Sequence, residues 1–316
     1  MRKKIIVDIC GADAPPNIIA SGAVSALNGQ DEFDLVLAGP ETIVEETLSG
    51  KPENIKARVG IIEAEKAVSN YDNPADMVKG KENTSMVKAL CALKEWEDIV
   101  AMVSAGSTGC LLVGSIFKVG LFGKLMQPAL TCALFNTDNE FFCLTDCGAN
   151  VNSKIKDIVD YARMGSAYME AVCGEKSPRV GLVNVGREKG KGSDFAKEAF
   201  AALETLKGID FVGNIEGSDI LSGMADVVVC DGFTGNLILK TIEAAGLTAA
   251  SMMGNPEKVV NFFDYNSQGG ATFLGTKKII IKAHGAANEN TIEACVRQAW
   301  SLEKRQFTQK MEARMN

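Results

Sequence analysis

Short apolar runs alternate with longer stretches whose apolar residues recur at helical spacing along this whole chain. The runs predict strands at 4–8, 34–38, 57–63, 99–104, 129–135, 141–146, 179–184, 209–212, 226–230 and 278–282. The periodic stretches predict helices near 17–28, 41–49, 76–96, 108–122, 154–173, 193–207, 234–252 and 288–308. Such βα alternation implies an α/β fold, with a largely parallel sheet covered on both faces. The runs 129–135 and 141–146, joined through Thr137-Asp138-Asn139, read instead as a hairpin, so the sheet is expected to be mixed. No repeat, low-complexity run or Pro/Gly/Ser linker interrupts the pattern. Residues 1–316 therefore read as one domain with room for two lobes.

Five of the strands stop at glycine mixed with Asp, Asn, Ser or Thr. The turns are Asp8 to Asp13, Ser104 to Gly109, Asp146 to Asn150, Asn184 to Gly186 and Asp231 to Asn236. In a parallel sheet such ends share one edge, where ligands of open α/β folds bind. Glycine lets backbone N–H groups approach an anion, and a following helix adds its dipole. One such turn needs no ligand to explain it, because a tight βα connection uses the same residues. Five together point to a composite site for phosphate or an oxyanion.

The balance of 33 basic and 40 acidic residues gives a net charge of −7, which argues against sequence-independent nucleic-acid binding. The basic start, Met-Arg-Lys-Lys, reaches Asp8 after a short apolar run and reads as a first strand. No apolar run approaches the roughly 18–20 residues that span a bilayer. Nine cysteines without a C-x-x-C pair predict reduced thiols, a cytoplasmic setting and no metal.

Ser104-Ala105-Gly106-Ser107-Thr108-Gly109 follows a strand and opens a helix, but neither a P-loop nor an early G-x-G-x-x-G is present. The loop Asn184 to Gly192 carries Arg187, Lys189 and Lys191. A solvated loop is the plain reading; at this sheet edge Lys191 or Arg187 could instead meet a phosphate. His284, the single histidine, precedes Gly285 at the end of a strand, where it is either structural or catalytic. Cys10, Cys147 and Cys230 border turns and serve equally as small buried side chains. Lys304, Arg305, Lys310 and Arg314 near the C-terminus read as a solvated face.

Taken in order, the motifs resemble the phosphate acyltransferase family of bacterial fatty acid and phospholipid synthesis. The residues that carry the resemblance are V-D-x-x-G-x-D at Val7 to Asp13, Thr84-Ser85-Met86, S-A-G-x-T-G at Ser104 to Gly109 and D-x-G-A-N at Asp146 to Asn150. M-G-S-x-Y at Met164 to Tyr168, P-R-V-G-L-x-N-x-G at Pro178 to Gly186 and Lys191-Gly192 follow. The set closes with Glu216-Gly217, A-D-V-V-V-C-D-G-F-T-G-N at Ala225 to Asn236, Tyr265 to Ala271 and Lys282-Ala283-His284-Gly285.

The resemblance implies a three-layer α/β/α sandwich similar to isocitrate and isopropylmalate dehydrogenases, assembled as a homodimer. It implies transfer of a fatty acyl group from an acyl carrier protein thioester to inorganic phosphate, without a cofactor. By resemblance Lys191 and Asp231 are catalytic, with Asn236 and His284 beside them. Asp8, Gly11, Asp13, Gly106, Ser107, Thr108, Gly109, Asn150, Asn184 and Gly235 are then expected to bind phosphate or substrate.

This chain departs from the family pattern at Ala14, Ser107, Gln127 and Arg187. The span 242–264 is also much shorter than in typical members, where an amphipathic hairpin linked to membrane association lies; weak or no membrane binding is expected. A divergent enzyme using short acyl groups or coenzyme A thioesters is one alternative, and a non-catalytic binding paralogue is another. A dehydrogenase is disfavoured by the missing dinucleotide fingerprint.

Overall fold

The computed structural model describes residues 2–174, 177–252 and 269–315. The chain forms two compact units. The first comprises Met1–Leu121 with Asn266–Lys304, and the second Phe122–Tyr265 with Arg305–Asn316.

In the first unit, β1 (Lys3–Asp8), β2 (Phe33–Gly39), β3 (Val59–Glu63) and β4 (Ile99–Ser104) pair in the order β3-β2-β1-β4, all parallel. Helices α1 (Pro16–Ser25), α2 (Glu41–Leu48) and the single turn α3 (Glu53–Lys56) step from β1 to β3 in one direction. Helix α4 (Ser85–Glu95) then returns across the sheet to β4. Right-handed crossovers running in opposite directions place α1 and α4 on opposite faces. Helix α5 (Thr108–Gly114) leaves β4 and widens into a π turn over Ser115–Val119. Ile5, Ile6 and Val7, like every residue of β4, are buried, as expected for strands covered on both sides.

The second unit opens with β5 (Ala129–Phe135) and β6 (Phe141–Thr145), antiparallel around left-handed Asn139. Beyond β6 the order is β9 (Val227–Val229), β7 (Arg179–Val183) and β8 (Asp210–Ile215), all parallel. Helices α6 (Ile155–Val172) and α7 (Asp194–Glu204) follow β6 and β7 and pack together on one face. Helix α8 (Gly232–Met252) leaves the end of β9; residues 253–264 of the shortened span lie outside the described residues, as does Tyr265.

The remaining strands, β10 (Ala271–Leu274) and β11 (Ile279–Lys282), join the first unit, with β11 parallel to β4 and β10 antiparallel to β11. The sheets are therefore mixed and mostly parallel, as the hydrophobic pattern predicts. The hydrophobic pattern does not reveal β10, a strand of four residues without a period of its own.

The C-terminal segment differs from the single helix expected over 288–308. Helix α9 (Glu289–Lys304) packs on α1 and ends before Gln306, which takes a left-handed φ of 57°. Helix α10 (Phe307–Met315) then packs on α6, with Phe307 edge-to-face against Tyr168. Of the cations expected to form a solvated face, Lys304 is exposed on Glu32, but the other three are tied to α6. Arg305 donates to the Ala171 and Val172 carbonyls, Lys310 Nζ to the Glu170 carbonyl (3.1 Å), and Arg314 pairs with the Glu170 carboxylate. Arg305 and Lys310 thus satisfy carbonyls that the last turn of α6 leaves open.

Candidate active site

At the carboxyl ends of β1, β4 and β11 three turns of the first unit lock together. Ser104 Oγ accepts from Gly106 N (3.1 Å) and donates to Asp8 Oδ2 (2.8 Å). The other Asp8 oxygen accepts from Cys10 N (3.3 Å), and Ala283 N donates to the Ser104 carbonyl (3.0 Å). Lys282 Nζ donates to the carbonyls of Ala105 (3.4 Å) and Ala283. Asp8 is 1 % exposed, and burial pushes its carboxyl up to about 6 against the opposing pull of Ser104, the Cys10 N–H and Lys282. The Ser85 hydroxyl also pulls the carboxyl down but stops short of a hydrogen bond, its Oγ being buried without a partner among the described residues.

Asp8 is therefore inside the scaffold, where a substrate does not reach it. Gly11 lies against the backbones of Val68 and Gly106, and Gly106 is buried; both serve packing between turns. Ser107, Thr108 and Gly109 are half-buried where α5 starts, and Asp13 is exposed, its N–H bonded to the Gly285 carbonyl (2.9 Å).

His284 is half-buried in the third turn, and its Nδ1 accepts from the Ala286 N–H at 3.2 Å. A neutral imidazole accepting at Nδ1 carries its hydrogen on Nε2. The ring thus presents a donor, not a base, at its outer nitrogen.

In the second unit two turns interlock at the ends of β6 and β9. Asp146, wholly buried, accepts at Oδ1 from the N–H groups of Leu130 (3.0 Å), Gly148 (3.2 Å) and Ala149 (3.0 Å). Its Oδ2 accepts from Asn150 N (2.7 Å) and Asn150 Nδ2 (3.0 Å). Burial raises its carboxyl above the ordinary range while these donors pull it back. Asn150 also donates to the Pro128 carbonyl (2.7 Å), so the side chain expected to bind substrate is used in holding the turn. A Cβ at Gly235 would overlap the Asp146 carbonyl oxygen, so this glycine serves the close approach of α8 rather than a phosphate. Asn236 is exposed on the first turn of α8, beside Gly148.

Asp231 caps α8: Oδ1 accepts from Thr234 N (2.9 Å) and Oδ2 from Thr234 Oγ1 (2.7 Å). It also lines a cleft of about 300 Å³ bounded by β7, β9, α6 and the start of α7. A larger cleft of about 730 Å³ lies by Arg2, Asp34 and Arg58. It sits at the amino ends of β1 to β3, away from the edge that carries chemistry in such sheets.

The loop between β7 and α7 contains the deciding arrangement of charge. Arg187 forms a two-pronged ion pair with Asp219, through Nε at 2.9 Å, and holds that carboxyl below its usual range. Lys189 binds Glu204 (2.5 Å). Among the described residues Lys191 Nζ has neither a hydrogen bond nor an ion pair, and the residue is exposed. Asn184 holds its backbone: Nδ2 donates to the Lys191 carbonyl (3.2 Å) while Oδ1 accepts from Val185 N (2.8 Å). Gly192 follows with φ 92°, and a Cβ there would overlap Asn184 Oδ1. Asn184 therefore holds the backbone of the loop that carries Lys191.

The family model described as "Fatty acid synthesis protein" matches residues 3–259. A phosphate acyltransferase of Bacillus thuringiensis (strain Al Hakam) is 38% identical over 315 residues, covering 93% of each chain. This chain belongs to the phosphate acyltransferase family, a family of enzymes. In fold it is similar to a phosphotransacetylase from Streptococcus pyogenes, with TM-score 0.67, 14% identity and coverage of 95% and 94% of the two chains. A 4-hydroxythreonine-4-phosphate dehydrogenase from Burkholderia phymatum is also similar, with TM-score 0.53, 12% identity and coverage of 96% and 98%. The fold is thus the one also used by dehydrogenases, as the motif resemblance implies.

Two features of this phosphate acyltransferase family member escape sequence reasoning. Asp146 and Ser104 organise the turns but stand among motif residues with nothing to mark them. The pairing of Arg187 with Asp219 joins positions 32 apart and leaves no local signal. The thiols bordering the turns are buried, and burial pushes Cys10 up to about 11 and raises Cys147 and Cys230 well above the ordinary range. That is the reverse of what a cysteine nucleophile needs.

Proposed function

We propose that this protein transfers an acyl group from a thioester to inorganic phosphate, the donor being a fatty acyl group on acyl carrier protein and the product an acyl phosphate for phospholipid synthesis. The observation that carries this reading is Lys191, an exposed cation without a carboxylate partner among the described residues, held at the backbone by Asn184. Phosphate is already an anionic nucleophile near neutral pH, so no covalent enzyme intermediate is required. One phosphate oxygen bonds to the thioester carbon, the tetrahedral oxyanion collapses, and the sulfur departs with the electron pair of the C–S bond.

Lys191 holds the phosphate against its own charge. Asp231, whose oxygens retain lone pairs beyond the Thr234 bonds, orients the lysine or takes a phosphate proton. Asn236, exposed on α8, offers a polar contact to substrate; in the first unit Ser107, Thr108, Gly109 and the Nε2–H of His284 offer donors suited to an anion. Asp13 sits beside the His284 turn of the first unit.

The test is acyl phosphate formation from acyl carrier protein and coenzyme A thioesters with and without phosphate. Lys191→Ala is expected to raise the phosphate KM about ten- to a hundredfold, the effect of losing a charged hydrogen bond worth about 1.5–3 kcal/mol. An unchanged phosphate KM removes Lys191 from the reading. Turnover of coenzyme A thioesters alone would favour the divergent short-chain enzyme, and no phosphate-dependent cleavage would favour the binding paralogue.

The protein is further proposed to work in the cytoplasm as a homodimer without membrane docking. Among the described residues no helix is long and apolar enough to cross a membrane. Phe233, Leu237 and Leu247 lie exposed along one side of α8 and suit burial against a second copy. Analytical sedimentation should give twice the 33.6 kDa chain mass, and a monomer at micromolar concentration would overturn the dimer.

A further inference from the structure

The cleft beside Asp231 has a lining that the transfer to phosphate does not by itself explain. Its floor is apolar and closed: Ile158 of α6, Leu182 of β7 and Cys230 are all buried. Its side is Phe195 and Ala196, half-buried on the first turn of α7. The other walls carry polar groups, Asn184, Ser193, Thr234 and the Asp231 carboxylate, and Gly192 brings in the loop that carries Lys191. On the apolar floor no cation is offered to an anion, and the Asp231 carboxylate stands nearby. An apolar group gains by leaving water.

We propose that this cleft of the second unit receives the first part of the acyl chain, and that Phe195 and Ala196 determine which chain lengths are accepted. The inference rests on the reading of the protein as an acyl-to-phosphate transferase. At about 300 Å³ the space is at the small end of ligand pockets, which run from about 300 to 1,000 Å³. It holds a short or medium chain, and a longer one leaves through its open side. A carbonyl carbon placed at the polar side then lies by Asp231 and the Lys191 loop, with the hydrocarbon on Ile158 and Leu182. Phe195 and Ala196 are adjustable because they sit on a partly exposed helix turn whose cap, Ser193 Oγ to Ala196 N (3.2 Å), uses only backbone at position 196.

The experiment is a chain-length profile of kcat/KM for coenzyme A and carrier-protein thioesters from C2 to C16, on the wild type, Ala196→Leu and Phe195→Ala, with thermal unfolding as the folding control. Ala196→Leu fills the cleft and should lower the octanoyl-to-acetyl preference about tenfold, the scale of one or two methylenes in an apolar pocket. Phe195→Ala opens it and should shift the preference toward longer chains. Both should leave the phosphate KM unchanged. The same profile in all three proteins overturns the proposal, as does a raised phosphate KM with an unchanged profile, which would make the cleft a phosphate site. Absence of acyl phosphate from every thioester with the wild type is instead a failure of the functional reading. Calorimetry with octanoyl-coenzyme A and acetyl-coenzyme A then decides the cleft. A larger negative heat-capacity change for octanoyl that Ala196→Leu removes supports it, and equal values overturn it.

Discussion

Asp8 and Asp146 look alike along the chain, each an aspartate ending an apolar strand and followed by a glycine turn. Folded, they differ in their partners. Asp146 gathers five N–H donors, three from the turn that follows it, one from the Asn150 side chain and one from Leu130. Asp8 receives one N–H and one hydroxyl, and its charge is left to Lys282 and burial. The second unit thus builds its turn around a carboxylate, and the first merely tolerates one. A buried charge is kept by the donors it collects, not by its place in a motif.

The sharpest way to break this comparison is to remove each carboxylate. Asp146→Ala orphans its donors and should cost at least about 3 kcal/mol of unfolding free energy, because several buried groups lose a charged partner at once. Denaturant unfolding measures this, and a cost under 1 kcal/mol would mean the turn holds itself.

Asp8→Asn should act through pH. The folded carboxyl titrates at about 6 and the unfolded one at 3.8, so between those values the folded protein binds more protons. The contribution of Asp8 to stability therefore falls as pH rises through that window, and the full cost of burying its charge is present above it. The variant has no such slope. From pH 4 to pH 7 the stability difference should move toward Asp8→Asn by up to about 3 kcal/mol, at about 1.4 kcal/mol per unit. A flat difference would show that Lys282 and the hydrogen bonds of Asp8 offset the burial of its charge.

The smallest effect on stability belongs to Lys191→Ala, whose ammonium has no hydrogen bond or ion pair among the described residues, and it should stay within about 0.5 kcal/mol of wild type. Its weight should fall on phosphate use alone. A large loss of stability would place Lys191 with the scaffold residues.

Much of the fold was legible because apolar period and glycine-ended strands are local signals. The run 129–135 is β5 to the residue, and the hairpin through Asn139 follows from its turn chemistry. Where tertiary contacts outweighed local preference, legibility failed. The helix expected over 76–96 starts only at Ser85, behind a 3₁₀ turn at Pro74–Met77 that Asn73 caps. The break at Gln306 carries no glycine to announce it, and α10 is held on α6 by Phe307 and Arg314.

The same division runs through the candidate site. Alternation of apolar runs, the five turns and the ordered motifs determined by themselves an α/β protein of the phosphate acyltransferase family, since each depends on neighbours along the chain. Which motif residues are exposed and which are held inside was decided only by the tertiary structure. Asp8, Asn150 and Gly235 carry motif letters as prominent as Lys191, yet they are buried among hydrogen bonds or backbone. Arg187 and Lys189 share a loop and a charge with Lys191, but each meets a carboxylate brought from elsewhere in the fold. Burial and charge pairing are properties of distance in space, and no pattern along the chain contains them.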